Sequence, residues 1–75
     1  MNKERLQSNL KSARKSAKLT QSALGMTMGI AGECIHQWET GARTPKMETI
    51  EKIAAACGIH PNELFVGVWD KEEVR

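Results

Sequence analysis

The sequence predicts an all-α fold, a compact domain of five helices. Three observations carry that expectation. Apolar residues recur at three- and four-residue spacing through most of the chain. Gly29, Gly41 and Gly58 each follow directly on such a stretch, where helices commonly end. Thr20, and the pair Thr44-Pro45, stand where two of the stretches begin, as capping and first-turn residues do.

The first helix is expected from about Lys3 to Lys18, with Leu6, Leu10, Ala13 and Ala17 as its apolar stripe. The second runs from about Gln21 to Met28 behind Thr20 as N-cap, with Ala23, Leu24 and Met28 at helical spacing. Gly29 then supplies the backbone freedom a sharp turn needs. The third runs from about Gly32 to Thr40. Ile30, Ile35 and Trp38 recur on one face, while Glu33, His36 and Gln37 fall on the other. The fourth takes Thr44 as N-cap and Pro45 as its first residue, then continues through Met47, Ile50, Ile53, Ala54 and Cys57. The fifth is a short turn from about Pro61 to Phe65. His60 opens it as a poor cap, and Glu63 stands where a capping-box carboxylate would.

The expected core is Leu6, Leu10, Ala13, Leu19, Leu24, Ile30, Ile35, Trp38, Ile50, Ile53, Ala54, Ile59, Leu64 and Phe65. Met1, Met26, Met28 and Met47 read as packing residues. Residues 1–66 form the domain. Residues 67–75 form a tail of extended, helical or frayed structure and a candidate part of a dimer interface.

At 75 residues the chain is one domain with a modest core, which dimerisation would support. No apolar stretch approaches the roughly 20 residues of a membrane span. The first five residues lead into an amphipathic pattern, not a signal peptide. Two cysteines make no disulfide framework, and a reduced cytoplasmic setting fits. The net charge of +2 says little, but its distribution says more. Residues 1–46 hold eight Lys or Arg against three Glu; residues 47–75 hold three against six Asp or Glu. The basic part contains the second and third helices, as the electrostatic footprint of a small DNA binder would. Without a motif, an ordinary surface of uneven charge explains the asymmetry as well.

The motif is the run from Leu19 to Gly41, which reads as helix, three-residue turn, helix, closed by glycine. Such a layout lets a short helix stand proud of its support, with polar side chains free to enter a major groove. Around it stand Leu10-Lys11, Arg14-Lys15, Leu19-Thr20-Gln21, Leu24, Gly29-Ile30, Ile35, Trp38-Glu39, Gly41, Thr44-Pro45, Ile53-Ala54, Gly58-Ile59, Pro61 and Glu63-Leu64-Phe65. In this ordered set the chain resembles the Cro and phage-repressor type (Xre-like) helix-turn-helix proteins, over about residues 6 to 66. The resemblance implies a lambda-repressor-like fold with the helix-turn-helix at helices 2 and 3.

It also implies roles. Gly32, Glu33, His36 and Gln37 occupy positions that face the major groove in that family. Gln37 can pair with adenine, Glu33 can accept from the cytosine amino group, and His36 can donate to guanine or a phosphate. Thr20 and Gln21, at the start of the second helix, match its phosphate-contacting positions. Thr40, Arg43 and Lys46 follow the third helix, either as clamps on flanking phosphates or as solvated charges. The resemblance sets Arg14 against Glu39 as a structural ion pair. Three departures stand out. Ala31 replaces a capping Ser or Thr, Gly32 has no side chain to reach a base, and Glu33 is repelled by phosphates. These departures leave three readings open: sparse direct readout with DNA shape carrying more of the recognition, a degenerate site, or a scaffold drifted toward another role.

The other chemistry-bearing residues have plain readings. His36, His60, Cys34 and Cys57 lack metal-ligand spacing. Cys34 is a semi-buried filler or an oxidation sensor, and Cys57 is core. No nucleophile-base constellation appears, so no enzyme activity and no cofactor is expected. The expected function is a sequence-specific DNA-binding transcriptional regulator, a Cro-like repressor for instance. It would bind a near-palindromic operator on double-stranded DNA as a homodimer. Leu64, Phe65, Val66, Val68 and Trp69 supply the expected dimer surface, the alternative being that Trp69 folds back over its own core and the tail caps the monomer. The alternative is an antitoxin, or another protein-interaction module on the same fold, with a toxin as partner.

Overall fold

In the computed structural model, residues 1–69 are described, and they form five helical elements without a strand. They are α1 (Lys3–Ser16), α2 (Gln21–Met28), α3 (Gly32–Thr40), α4 (Met47–Cys57) and α5 (Pro61–Phe65), the last a 3-10 turn. α2 packs on α3 and α4, while α1 packs on α3, α4 and α5. One apolar cluster joins all five: Leu6 and Leu10, Leu24, Ile35, Ile50, Ile53 and Ala54, Leu64, and Val68 beyond α5. Each large side chain there stabilises the fold by roughly 1.5–3 kcal/mol. Ala13, Leu19, Ile30, Trp38, Ile59 and Phe65, expected in this core, line its edge half-buried.

Two boundaries and one cap depart from expectation. α1 stops at Ser16, not Lys18, because Lys18 takes a left-handed backbone with φ 61°. That reversal lets the Leu19 N–H donate to the Arg14 carbonyl at 3.1 Å and brings Leu19 against the core. α4 starts two residues after Pro45, with Lys46 rather than Thr44 at the cap. Pro45 is buried and borders a crevice shared with Leu6 and Trp38, so the chain runs inward before the helix can turn. His60 proves an effective cap. Its Nδ1 accepts from the Asn62 N–H at 3.1 Å, and its own N–H donates to Glu63 Oε2 at 3.2 Å, completing a capping box. The bare imidazole nitrogen does here what a Ser or Asp oxygen usually does.

The methionines divide. Met28 packs against the core, whereas Met1, Met26 and Met47 are exposed, a correction to their reading as packing residues. The packed body also runs past residue 66, since Val68 is fully buried. α1 holds this segment down. The Val68 carbonyl accepts from the Asn2 N–H at 2.7 Å, and Asn9 Nδ2 donates to the Leu64 and Val66 carbonyls at 3.0 and 2.8 Å. Arg5 Nε adds a bond to the Val66 carbonyl at 3.3 Å. These bonds satisfy carbonyls that the end of a short helix leaves open. Residues 70–75 of the expected tail lie outside the described residues.

The close approach of α2 and α3 depends on the absence of two side chains. A Cβ on Gly25 would lie 2.7 Å from the Ile30 carbonyl oxygen, and one on Gly32 would lie 3.0 Å from the Ser22 Cα. Both obstacles are backbone, so neither can swing away. Gly25→Ala is therefore expected to destabilise the fold by about 1–3 kcal/mol as an overpacked contact, although alanine is the better helix former. Chemical denaturation followed by circular dichroism measures this; a stability at or above wild type would show that the two helices can separate freely.

Candidate nucleic-acid interface

The turn between α2 and α3 is three residues long, as expected, and Ile30 N–H closes it onto the Gly25 carbonyl at 2.8 Å. Gly29 makes the reversal with φ 74° and has open space where a Cβ would stand. Behind the motif, the structure brings Arg14 and Glu39 together as a bidentate pair. Arg14 Nε donates to Glu39 Oε2 at 2.7 Å, and Nη2 donates to Oε1 at 3.1 Å. The third face of the guanidinium is used as well, Nη1 donating to the Leu19 carbonyl at 2.8 Å. The two side chains are only 9% and 4% exposed, so the pair is screened little by solvent. The hydrogen bonds that Arg14 donates to Glu39 hold its pKa above the ordinary value, against the opposing effect of burial.

The expected contact residues fall into three sets. Glu33 and His36 are exposed on α3, and Gln37 is half-buried beside them. Gln37, Arg43 and Lys46 meet at an open groove of about 450 Å³, which Cys34, Trp38 and the Glu48–Lys52 pair, 3.9 Å apart, also line. The Arg43 N–H donates to the Gln37 carbonyl at 3.2 Å, fixing the loop that carries this cation. Among the described residues no carboxylate pairs with Arg43 or Lys46, which stay available to an anion. Thr40 is exposed beside them, its hydroxyl 3.4 Å from the Gln37 carbonyl. The third set is at the start of α2. Thr20 caps the helix, its Oγ1 accepting from the Ala23 N–H at 2.9 Å, and its own O–H stays free to donate.

Three expectations change in detail. Gly32 turns its missing side chain toward the Ser22 backbone, so its use is close packing rather than base contact. Gln21 Nε2 faces inward, donating to Glu39 Oε1 at 3.1 Å and lying 3.4 Å from His36 Nδ1. A phosphate at α2 would then meet the backbone N–H of Gln21, which has no partner within its helix. Leu64 and Val68, expected at a dimer surface, are buried in this chain's own core. Val66 and Trp69 are exposed and Phe65 is half-buried.

Sequence reasoning missed Asn9 and Lys52. Asn9 left a signal, since asparagine is unfavourable inside a helix unless its amide has an assignment elsewhere. Lys52 left none, because a lysine on the polar face of α4 looks like any solvated charge. Among the described residues no helix is long and apolar enough to cross a membrane.

This arrangement is that of a helix-turn-helix domain, with a polar helix face and a cationic groove on one buried ion pair. The profile of the helix-turn-helix family HTH_3 matches residues 10–64, and the chain belongs to that family, the one its sequence resembles. The repressor protein C2 of Salmonella phage P22 is 30% identical over 67 residues, covering 89% of this chain and 31% of that protein. An HTH_3 family transcriptional regulator from Vibrio cholerae has a similar structure, with TM-score 0.79 and 28% identity over 89% of this chain and 38% of the other. The chain thus spans about a third of the length of these two relatives.

Cys57, at the end of α4, gives the scaffold a pH dependence. Burial pushes its thiol above the ordinary value of 9.0, nearby Arg14 opposing the shift and Glu39 adding to it. Above pH 9 the unfolded thiol loses its proton while the folded one keeps it. The contribution is complete below that pH and is lost as pH rises through the folded value. Wild type should therefore lose thermal stability more steeply than Cys57→Ala above pH 9. Parallel melting curves for the two proteins would remove Cys57 as the cause.

Proposed function

We propose that the chain is a sequence-specific DNA-binding transcriptional regulator that sets α3 in the major groove of a near-palindromic operator. The observation that carries this is the cationic set Arg43 and Lys46 around Gln37, without a carboxylate partner among the described residues, directly after a helix whose outward face is Glu33 and His36. Gln37 reads a base edge, with adenine as its natural bidentate partner. Arg43, Lys46 and Thr40 hold flanking phosphates, as do the Thr20 hydroxyl and the Gln21 backbone N–H. The relatives' descriptions, a repressor and a transcriptional regulator, favour the same class.

Selection from random duplexes tests the reading. Wild type should enrich one short motif, and Gln37→Ala should relax one position per half-site at a cost of roughly 1–3 kcal/mol. Arg43→Ala should weaken all sequences alike and lower the salt slope by about 1. Failure to enrich any motif at low salt would remove the proposal.

We further propose that it acts as a homodimer through Phe65, Val66 and Trp69. Trp69 is 53% exposed and Val66 60% exposed, on a segment that α1 holds rigidly. Exposed aromatic and aliphatic neighbours of this kind are typical anchors of an interface. A two-fold pair would set its two α3 helices about 34 Å apart, one turn of B-DNA. Sedimentation at micromolar concentration should show a dimer that Trp69→Ala weakens; a monomeric wild type that binds a single half-site as one copy would contradict this.

A further inference from the structure

The inward turn of Gln21 has a consequence for the base-reading face, on the reading that α3 enters the major groove. Both oxygens of Glu39 are held by Arg14, and the carboxylate is 4% exposed. The Gln21 side-chain atom 3.1 Å from Glu39 Oε1 must then be the nitrogen. A carbonyl oxygen there would set two acceptors face to face with no donor between them. The orientation of the amide is decided by the buried carboxylate.

The same NH2 group lies 3.4 Å from His36 Nδ1, near the outer limit for a hydrogen bond. With one hydrogen on Glu39, its other hydrogen is left for His36. An imidazole nitrogen that receives a donor must be bare, and a neutral ring then carries its hydrogen on Nε2. Among the described residues His36 Nε2 has no partner, and the side chain is exposed.

We infer that Gln21 fixes His36 as the Nε2–H tautomer and thereby makes it a one-way donor toward the bases. Gln21 is a positioning residue in this account, and His36 determines specificity at one position beside the one that Gln37 reads. A lone outward donor suits guanine, whose major-groove edge offers two acceptors, N7 and O6. It is refused by the cytosine amino group, which presents only a donor. The opposite tautomer would expose a bare Nε2 and welcome cytosine. The relay Arg14–Glu39–Gln21–His36 thus decides which of two codes this position reads.

Long-range proton–nitrogen NMR on histidine-labelled, DNA-free protein tests the tautomer. His60 is an internal standard, because its Nδ1 accepts a backbone N–H and so fixes its own ring as Nε2–H. The His36 nitrogen shifts should match those of His60 in wild type. In Gln21→Leu they should move to the averaged values of a free imidazole, while His60 stays put. An Nδ1–H ring at His36, or no change in Gln21→Leu with the fold intact, overturns the inference.

Duplex selection provides the second arm. Wild type should exclude cytosine at one position per half-site, and His36→Gln, which presents both a donor and an acceptor, should readmit it by about fivefold or more. An enriched motif that His36→Gln leaves unchanged overturns the inference while the DNA-binding reading stands. A fixed tautomer with no enriched motif overturns that reading, and the base readout with it.

Discussion

The guanidinium of Arg14 is where four parts of the chain meet. It leaves α1, binds the Leu19 carbonyl in the link to α2, and holds both oxygens of Glu39 near the end of α3. Glu39 in turn holds Gln21 at the start of α2. Removing one partner of a buried pair commonly costs about 3–5 kcal/mol, because the other charge is left without compensation. The pair therefore fixes the angle between α2 and α3 more than it adds to net stability. An apolar replacement of both could fold as well, but nothing would then orient Gln21.

α3 needs that support. At nine residues it is too short to persist alone, and its cap Ala31 provides no side-chain bond. Gly32 in its first turn weakens it further, by up to about 1 kcal/mol relative to alanine. What holds it is tertiary: Ile35 in the core, Trp38 at its edge, Glu39 on Arg14, and the close approach of Gly32 to Ser22. The residue that weakens the helix locally is the one that lets it pack. Local preference and tertiary fit conflict here, and packing wins.

The order and bounds of α2 and α3 were legible because their signals are local. Thr20 caps, Gly29 turns, Gly41 ends, and apolar residues recur at helical spacing within each helix. The Arg14–Glu39 pair was legible only through resemblance, since no local pattern joins residues 25 positions apart. The errors lie where a distant contact overrode a local cue. Thr44-Pro45 has the form of a helix start, yet the buried site for Pro45 delays the helix to Met47. Val68 looked like surplus apolar surface because the bonds that draw it in come from Asn2, Asn9 and Arg5 on and beside α1. The inward turn of Gln21 was hidden for the same reason. A glutamine at a helix start reads as free until its carboxylate partner is placed.

Donor counts make the site restrictive. Arg14 directs donors in three directions at once, to two carboxylate oxygens and one backbone carbonyl. A lysine ammonium carries three donors but no planar fork, and it cannot meet both oxygens side by side while reaching Leu19. Glu39 must then accept from α1 and α2 together, which an aspartate one methylene shorter would not span. Gln21 directs one amide hydrogen inward to Glu39 Oε1 at 3.1 Å, and the same nitrogen lies 3.4 Å from His36 Nδ1. The groups that fix the geometry of α3 are thereby engaged inside the fold. Among the described residues, the Glu33, Arg43 and Lys46 side chains keep no ion-pair partner.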